Sequence, residues 1–169
     1  MSDRPEKARS PKTLDQKKGW CDLTWGSAPL PDMTLIRSPS KHETQHLRKI
    51  DWTPYGNTEF LLRGYRLGHI LHFFWKNQFY MVVVPVWELF NATRILRVLE
   101  EAYGKPSKLP THDVGFGWHG DDVWAIYTED KRLDMIFVCY LYRPLHREVE
   151  RAARQQRRES LASSFLEKT

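Results

Sequence analysis

Seven histidines and two cysteines are the side chains of this 169-residue sequence best suited to metal or nucleophilic chemistry, so their spacing is the first test. His42 and His46 stand four apart, which on a helix would place both on one face and could hold a metal. The surrounding KHETQHLRK is polar, lacks a His-Glu-x-x-His pattern and supplies no third ligand, so a solvated segment is expected there. His69 and His72 fall three apart in GHILHFF, a run that reads as a strand, so they point to opposite faces. In WHGDD, His119 and Asp122 could meet across a tight turn as an acid–base pair. Gly, Asp and His are also what a β-turn favours, and a turn is needed at that point. His112-Asp113 sits in a connector after Pro110.

Nucleophile signals are missing. There is no Gly-x-Ser-x-Gly elbow, and neither Cys21 nor Cys139 has a flanking motif that would lower its pKa. GFGWHG lacks the Lys-Ser/Thr and the strand–loop–helix setting of a phosphate loop. Two cysteines without a Cys-x-x-Cys pair exclude a thiol-rich zinc site, permit one disulfide and do not demand it. No catalytic residue, metal ligand or cofactor is therefore assigned, and the expectation is a protein that is not an enzyme.

Two sets of residues remain as candidates for binding. The first is a row of arginines near the C-terminus. Arg147, Arg151, Arg154 and Arg158 follow at intervals of four, three and four, which lines them along one face of a helix. Interleaved Glu148, Glu150 and Glu159 favour a salt-bridged, solvated helix or contact with an acidic protein. No Phe, Tyr or Trp lies between Arg147 and Arg158 to stack on bases, so nucleic acid is a weaker alternative. The second set is aromatic: Phe73, Phe74, Trp75, Phe79 and Tyr80, with Trp20, Trp25, Trp52 and Tyr55, exceed what one face of a small sheet needs. They are core residues, or, where exposed, an interface or an apolar ligand groove near Phe74, Trp75 and Tyr80.

Charge distribution weighs on the same choice. The net charge of +5 divides into +3 over residues 1–19, +3 over residues 143–169 and −1 over the 123 residues between, so the basicity belongs to the ends. No window approaches the ~18 consecutive apolar residues of a membrane span. The first twenty residues show no apolar signal-peptide core, from which a cytoplasmic location is expected.

The elements that must position these residues are legible in outline. Residues 1–18 are charged, contain Pro5 and Pro11, and are expected to form a disordered tail before a domain over 19–142. Lys76-Asn77 lies between the aromatic runs HFFW and QFYMVVV and is the best hairpin tip, with Pro85 expected to end the ladder. Leu89, Ala92, Leu96, Leu99 and Tyr103 recur with helical period, predicting a helix over about 86–103 that Gly104 and Pro106 stop. GFGWHGDDVWAIYTEDKRLDMIFVCYLYR reads as a three-strand meander with turns at 119–122 and 129–132. Its last strand has apolar residues on both faces, with Leu133, Met135, Phe137, Cys139 and Leu141 on one. From Pro144 a polar helix follows, with Leu145, Val149, Ala152 and Gln156 as its inward stripe. The fold class is α+β: an antiparallel sheet of five to six strands on one main helix, with a basic C-terminal helix.

Trp25-Gly26, Lys76 with Phe79-Tyr80, Tyr103-Gly104-Lys105-Pro106 and Trp118 together resemble a family of small bacterial proteins, often exported or lipid-anchored, whose function is not assigned. The resemblance covers about residues 19–142 and implies a fold; no catalytic residue travels with it. The function expected is a non-catalytic binding or accessory protein acting through a protein partner. A small apolar ligand, or weak nucleic-acid binding through the arginine face, is the alternative.

Overall fold

The computed structural model describes residues 12–36, 45–49, 62, 65–110 and 114–166. Ten strands and three α-helices follow in chain order: α1 (Lys12–Asp15), β1 (Gly19–Trp20), β2 (Leu23–Thr24), β3 (Met33–Ile36), β4 (Gln45–Lys49), β5 (Leu71–Trp75), β6 (Gln78–Trp87), α2 (Ala92–Tyr103), β7 (Ser107–Lys108), β8 (Gly115–His119), β9 (Val123–Asp130), β10 (Met135–Tyr142) and α3 (Arg143–Leu166). The α+β class and the antiparallel sheet are as expected. The main sheet has the order β3-β4-β5-β6-β10-β9-β8-β7 with every pairing antiparallel, and β1 and β2 form a separate hairpin. It exceeds five or six strands through short outer members such as β7, two residues long.

The centre of the sheet is β6 paired with β10, and one face of it carries the core. Val82, Val84 and Val86 of β6 lie opposite Tyr140, Val138 and Ile136 of β10, all fully buried. Val123, Ala125 and Tyr127 of β9 continue this face. α2 covers it with Ile95, Leu99 and Tyr103, spaced by four so that they share one side of the helix. The predicted stripe of Leu89, Ala92, Leu96, Leu99 and Tyr103 is thus rotated: Ala92 and Leu96 flank the contact, half-buried, and Ile95 occupies its middle. On the other face of β10, Met135 and Leu141 are buried while Phe137 and Cys139 are half-buried. Cys139 and Cys21 are not joined in a disulfide.

The β5–β6 hairpin turns at Lys76 and Asn77, with φ of 48° and 62°. Two positive φ values are what a two-residue turn matched to strand twist requires. Pro85, by contrast, does not end the ladder. β6 runs to Trp87 because Pro85 faces β10 at Phe137 by register, while its backbone polar side is turned away. On that side β5 has already ended, and Pro85 needs only an acceptor: its carbonyl receives Gly68 N–H at 2.7 Å.

The chain then leaves the sheet through Glu88, at φ 72°, and a short 3₁₀ turn, Leu89–Asn91, before α2 begins at Ala92. The predicted start at 86 is therefore early by six residues, since the sheet retains Val86 and Trp87. Asp134 clamps this junction, its carbonyl accepting from Glu88 N–H at 3.0 Å and its carboxylate from Leu89 N–H at 3.0 Å. At the other end Gly104, at φ 84°, stops the helix and donates to the Glu100 carbonyl at 2.8 Å. Its own carbonyl accepts from Trp118 Nε1 at 2.6 Å, tying the helix end to β8.

The turns of the meander are also placed. The β8–β9 turn occupies 120–122 as expected. The β9–β10 turn falls at 131–134, two residues later than predicted, because the Asp130 carboxylate receives the N–H of Arg132 and Leu133. Leu133 consequently lies in the turn, 54% exposed, rather than on the strand.

The expected tail needs a larger correction. Residues 12–18 pack into the fold: Leu14 is fully buried in the main core. The carboxylate of Asp15 accepts the backbone N–H groups of Asp121, Asp122 and Val123 at 2.9–3.0 Å. Residues 1–11 lie outside the described residues, as do His42, Trp52, Tyr55 and His112.

Candidate interaction surface

α3 begins where β10 ends, with Pro144 in its first turn, where the missing N–H costs no helical bond. Arg143 N–H donates to the Asp122 carbonyl at 2.8 Å, and its guanidinium lies 4.2 Å from the Trp124 ring centroid. Leu145, Val149 and Ala152 then turn inward. They close over a second apolar cluster made by Trp75, Tyr80, Phe73, Met81 and Tyr142, at the turn end of the β5–β6 hairpin. The inward stripe predicted from the sequence holds over Leu145–Ala152; the side chain of Gln156 is outside the described ones.

This contact decides the fate of the aromatic candidates. Phe74 is 0% exposed in the main core, whereas Trp75 and Tyr80, 6% and 3% exposed, lie beneath α3. They are interior residues and present no surface to a partner. Tyr80 stacks on His146 with centroids 6.1 Å apart, and Phe73 meets Tyr80 edge-on at 6.5 Å. Their role is to seat the helix that carries the other candidates.

Arg147, Arg151, Arg154 and Arg158 are all exposed. At ~100° per residue they fall within a sector of about 60°, opposite the stripe formed by Leu145, Val149 and Ala152. The four span twelve residues, or ~16 Å of helix axis. Glu150 lies beside this row rather than within it, 3.8 Å from Arg154 and 3.7 Å from His146. Gln155 donates to Glu159 at 2.9 Å on the flank. The row is a contiguous cationic strip with one described ion pair, half-exposed and screened by water.

The histidine sites are dispersed by the fold. His72 is buried on the core face of β5 and His69 is exposed ahead of it. His119 is exposed at the end of β8, edge-on to Trp124 at 4.5 Å; burial, and Arg143 beside it, lower its pKa. The turn after it spends its backbone donors on Asp15. Burial works to raise the Asp15 pKa, but those three N–H bonds and nearby Lys18 bring it below the ordinary value. Among the described residues no three His, Cys, Asp or Glu side chains are grouped to hold a metal, and no helix is long and apolar enough to cross a membrane.

Sequence reasoning missed Asp15 and Lys17. Their partners lie far along the chain, and no local pattern in a charged, proline-containing segment announces them. Lys17 Nζ lies 4.9 Å from the Trp20 ring centroid and 4.5 Å from that of Tyr140. Next to it the hydroxyls of Tyr103 and Tyr140 are hydrogen-bonded at 3.2 Å, each phenol pushed above its usual pKa by burial. Comparison with family models, with curated proteins and with solved structures finds no match to this chain.

Proposed function

We propose that the protein is a non-catalytic binding module that docks on an acidic surface of a protein partner through the outer face of α3. The observation that carries this reading is the exposed row Arg147, Arg151, Arg154 and Arg158 on a helix whose opposite side is fastened to the sheet. A helix anchored by Trp75, Tyr80 and Leu145 presents its arginines with little of the ordering cost a free tail would meet. Guanidinium groups at helical spacing match carboxylates on a facing helix or strand, where each planar fork can accept a bidentate partner. Nucleic acid fits less well, because the row has carboxylates on its flanks and no Phe, Tyr or Trp between Arg147 and Arg158 to stack on bases.

The test compares the native chain with a variant in which all four arginines are glutamine, each used to capture partners from nuclease-treated lysate of its own source. A protein retained in stoichiometric amount by the native chain and reduced about 10- to 100-fold by the variant supports the reading, at up to ~1 kcal/mol per exposed charge pair. Equal capture by both chains, or capture that nuclease abolishes, overturns it.

A further inference from the structure

At the end of the sheet away from the start of α3, three segments meet and leave apolar side chains in water. Among the described residues, Trp87, Phe90 and Leu133 are the exposed large apolar side chains, at 37%, 80% and 54%. Hydrogen bonds draw them into one corner. Asp134 receives Glu88 N–H on its carbonyl and Leu89 N–H on its carboxylate, and Trp87 N–H donates to the Arg66 carbonyl at 2.9 Å. Leu133 N–H is held in turn by the Asp130 carboxylate at 3.2 Å. Glu88 and Asp134 sit at φ 72° and 52°, which residues other than glycine seldom adopt, so the fold accepts strained backbone to hold this arrangement. The corner lies beside Met135 at one end of β10, and α3 starts beyond Tyr142 at the other, about 26 Å away.

At roughly 200 Å² per side chain, these exposures leave about 350 Å² of apolar surface in contact with water. That is well under the ~800 Å² each partner gives to a stable protein–protein contact, so a second copy is a poor match. A bilayer asks for less: a few apolar side chains among the headgroups, with cations beside them at the phosphates. The corner shows this division. The Arg66 guanidinium lies 5.8 Å from the Trp87 ring centroid, and Lys131 and Arg132 are exposed on the turn that carries Leu133. Carboxylates of the same turn face backbone donors instead: Asp130 accepts from Arg132 and Leu133 N–H, and Asp134 from Leu89 N–H. Glu88 is half-buried. We propose that this corner is a membrane-docking tip. Phe90, Leu133 and Trp87 enter the interface of an anionic phospholipid bilayer, while Arg66, Lys131 and Arg132 meet its phosphates. The net charge of +5 adds attraction to such a surface at longer range. Docking at this corner does not depend on the reading of α3.

The probe is a vesicle of equimolar phosphatidylcholine and phosphatidylglycerol, with bound chain separated by flotation. The native chain is compared with the double variant Phe90→Ser, Leu133→Ser and with the chain whose four α3 arginines are glutamine. Both serine positions are exposed, so the double variant should melt within a few degrees of the native chain. The native chain is expected to float with the vesicles, and the double variant to partition about tenfold less. The α3 variant should lose less than about threefold, and the difference between native and double variant should persist in about 1 M salt, where exposed charges are screened. Failure of the native chain to float, equal partition of the double variant, or a loss confined to the α3 variant overturns the proposal. So does a vesicle-free dimer of the native chain that the double variant dissolves, since the corner would then belong to a second copy.

Discussion

At the scale of single residues, the fold depends on charges in a segment that composition marks as a tail. The buried amine of Lys17 gives a signed pH dependence. Its folded pKa, about 7, lies below the unfolded 10.5, so between these values the unfolded chain holds more protons than the folded one. Stability should therefore rise with pH across this window, by up to ~1.4 kcal/mol per unit from this group. Tyr103 and Tyr140, whose folded pKa values lie above the unfolded one, act in the opposite sense above about pH 10. Cys21 also faces the amine and titrates in the unfolded chain near pH 8.5, so the comparison is made in a Cys21→Ser background. Cys139, whose thiol burial pushes up to about 12, opposes the rise above about pH 8.5. Urea melts in that background should therefore show it between about pH 7 and 8.5, and Lys17→Met should flatten it; an equal slope in both chains would assign it elsewhere. Asp15 acts at the acid end. Its depressed pKa adds stability that is present above the unfolded value and is lost as pH falls through the folded one. Asp15→Ala should cost about 1–2 kcal/mol at neutral pH, measured as a drop in melting temperature, because three backbone donors of the β8–β9 turn lose their acceptor.

At the scale of elements, what the sequence made legible was what local chemistry determines. The Lys76-Asn77 turn, the stop at Gly104 and the alternation of β10 each follow from neighbours within a few residues. Pro85 and the start of α2 did not, since both depend on contacts with segments distant along the chain. Pro85 can sit inside β6 only because Gly68 approaches as a donor, and Glu88 can leave the sheet only because Asp134 receives it. The binding candidates divided in the same way. Helical spacing alone finds the arginine row. Whether Trp75 and Tyr80 face solvent depends on where α3 lies, which periodicity cannot say. Their burial under α3 separates local from global failure. Tyr80→Ala removes a large part of the cluster beneath the helix, so protection of backbone amides around residues 145–152 should fall by about 2–4 kcal/mol. Amides of β9, which does not touch that cluster, should change much less. Phe74→Ala, in the main core, should lower both together, as hydrogen exchange would record.

At the scale of the whole molecule, the question is whether binding reads a surface or a net charge. Neutralising the four arginines takes the chain from +5 to +1, and a partner with an acidic surface responds to that change at any distance within screening range. The control is a chain with the same final charge in which Arg97, Lys105, Lys108 and Lys131, all exposed and away from α3, become glutamine instead. If the row on α3 is the contact, its own neutralisation slows association and alone speeds dissociation; the distant set should alter the association rate modestly and leave the off-rate within about twofold. Both variants should melt within a few degrees of the native chain, because exposed charges contribute little to stability. Equal weakening by the two sets, erased together by added salt, would mean that a partner senses the field of a basic molecule and that α3 has no privileged role. A loss confined to the α3 set and persisting at moderate salt would place the contact on the helix that Trp75, Tyr80 and Leu145 hold against the sheet.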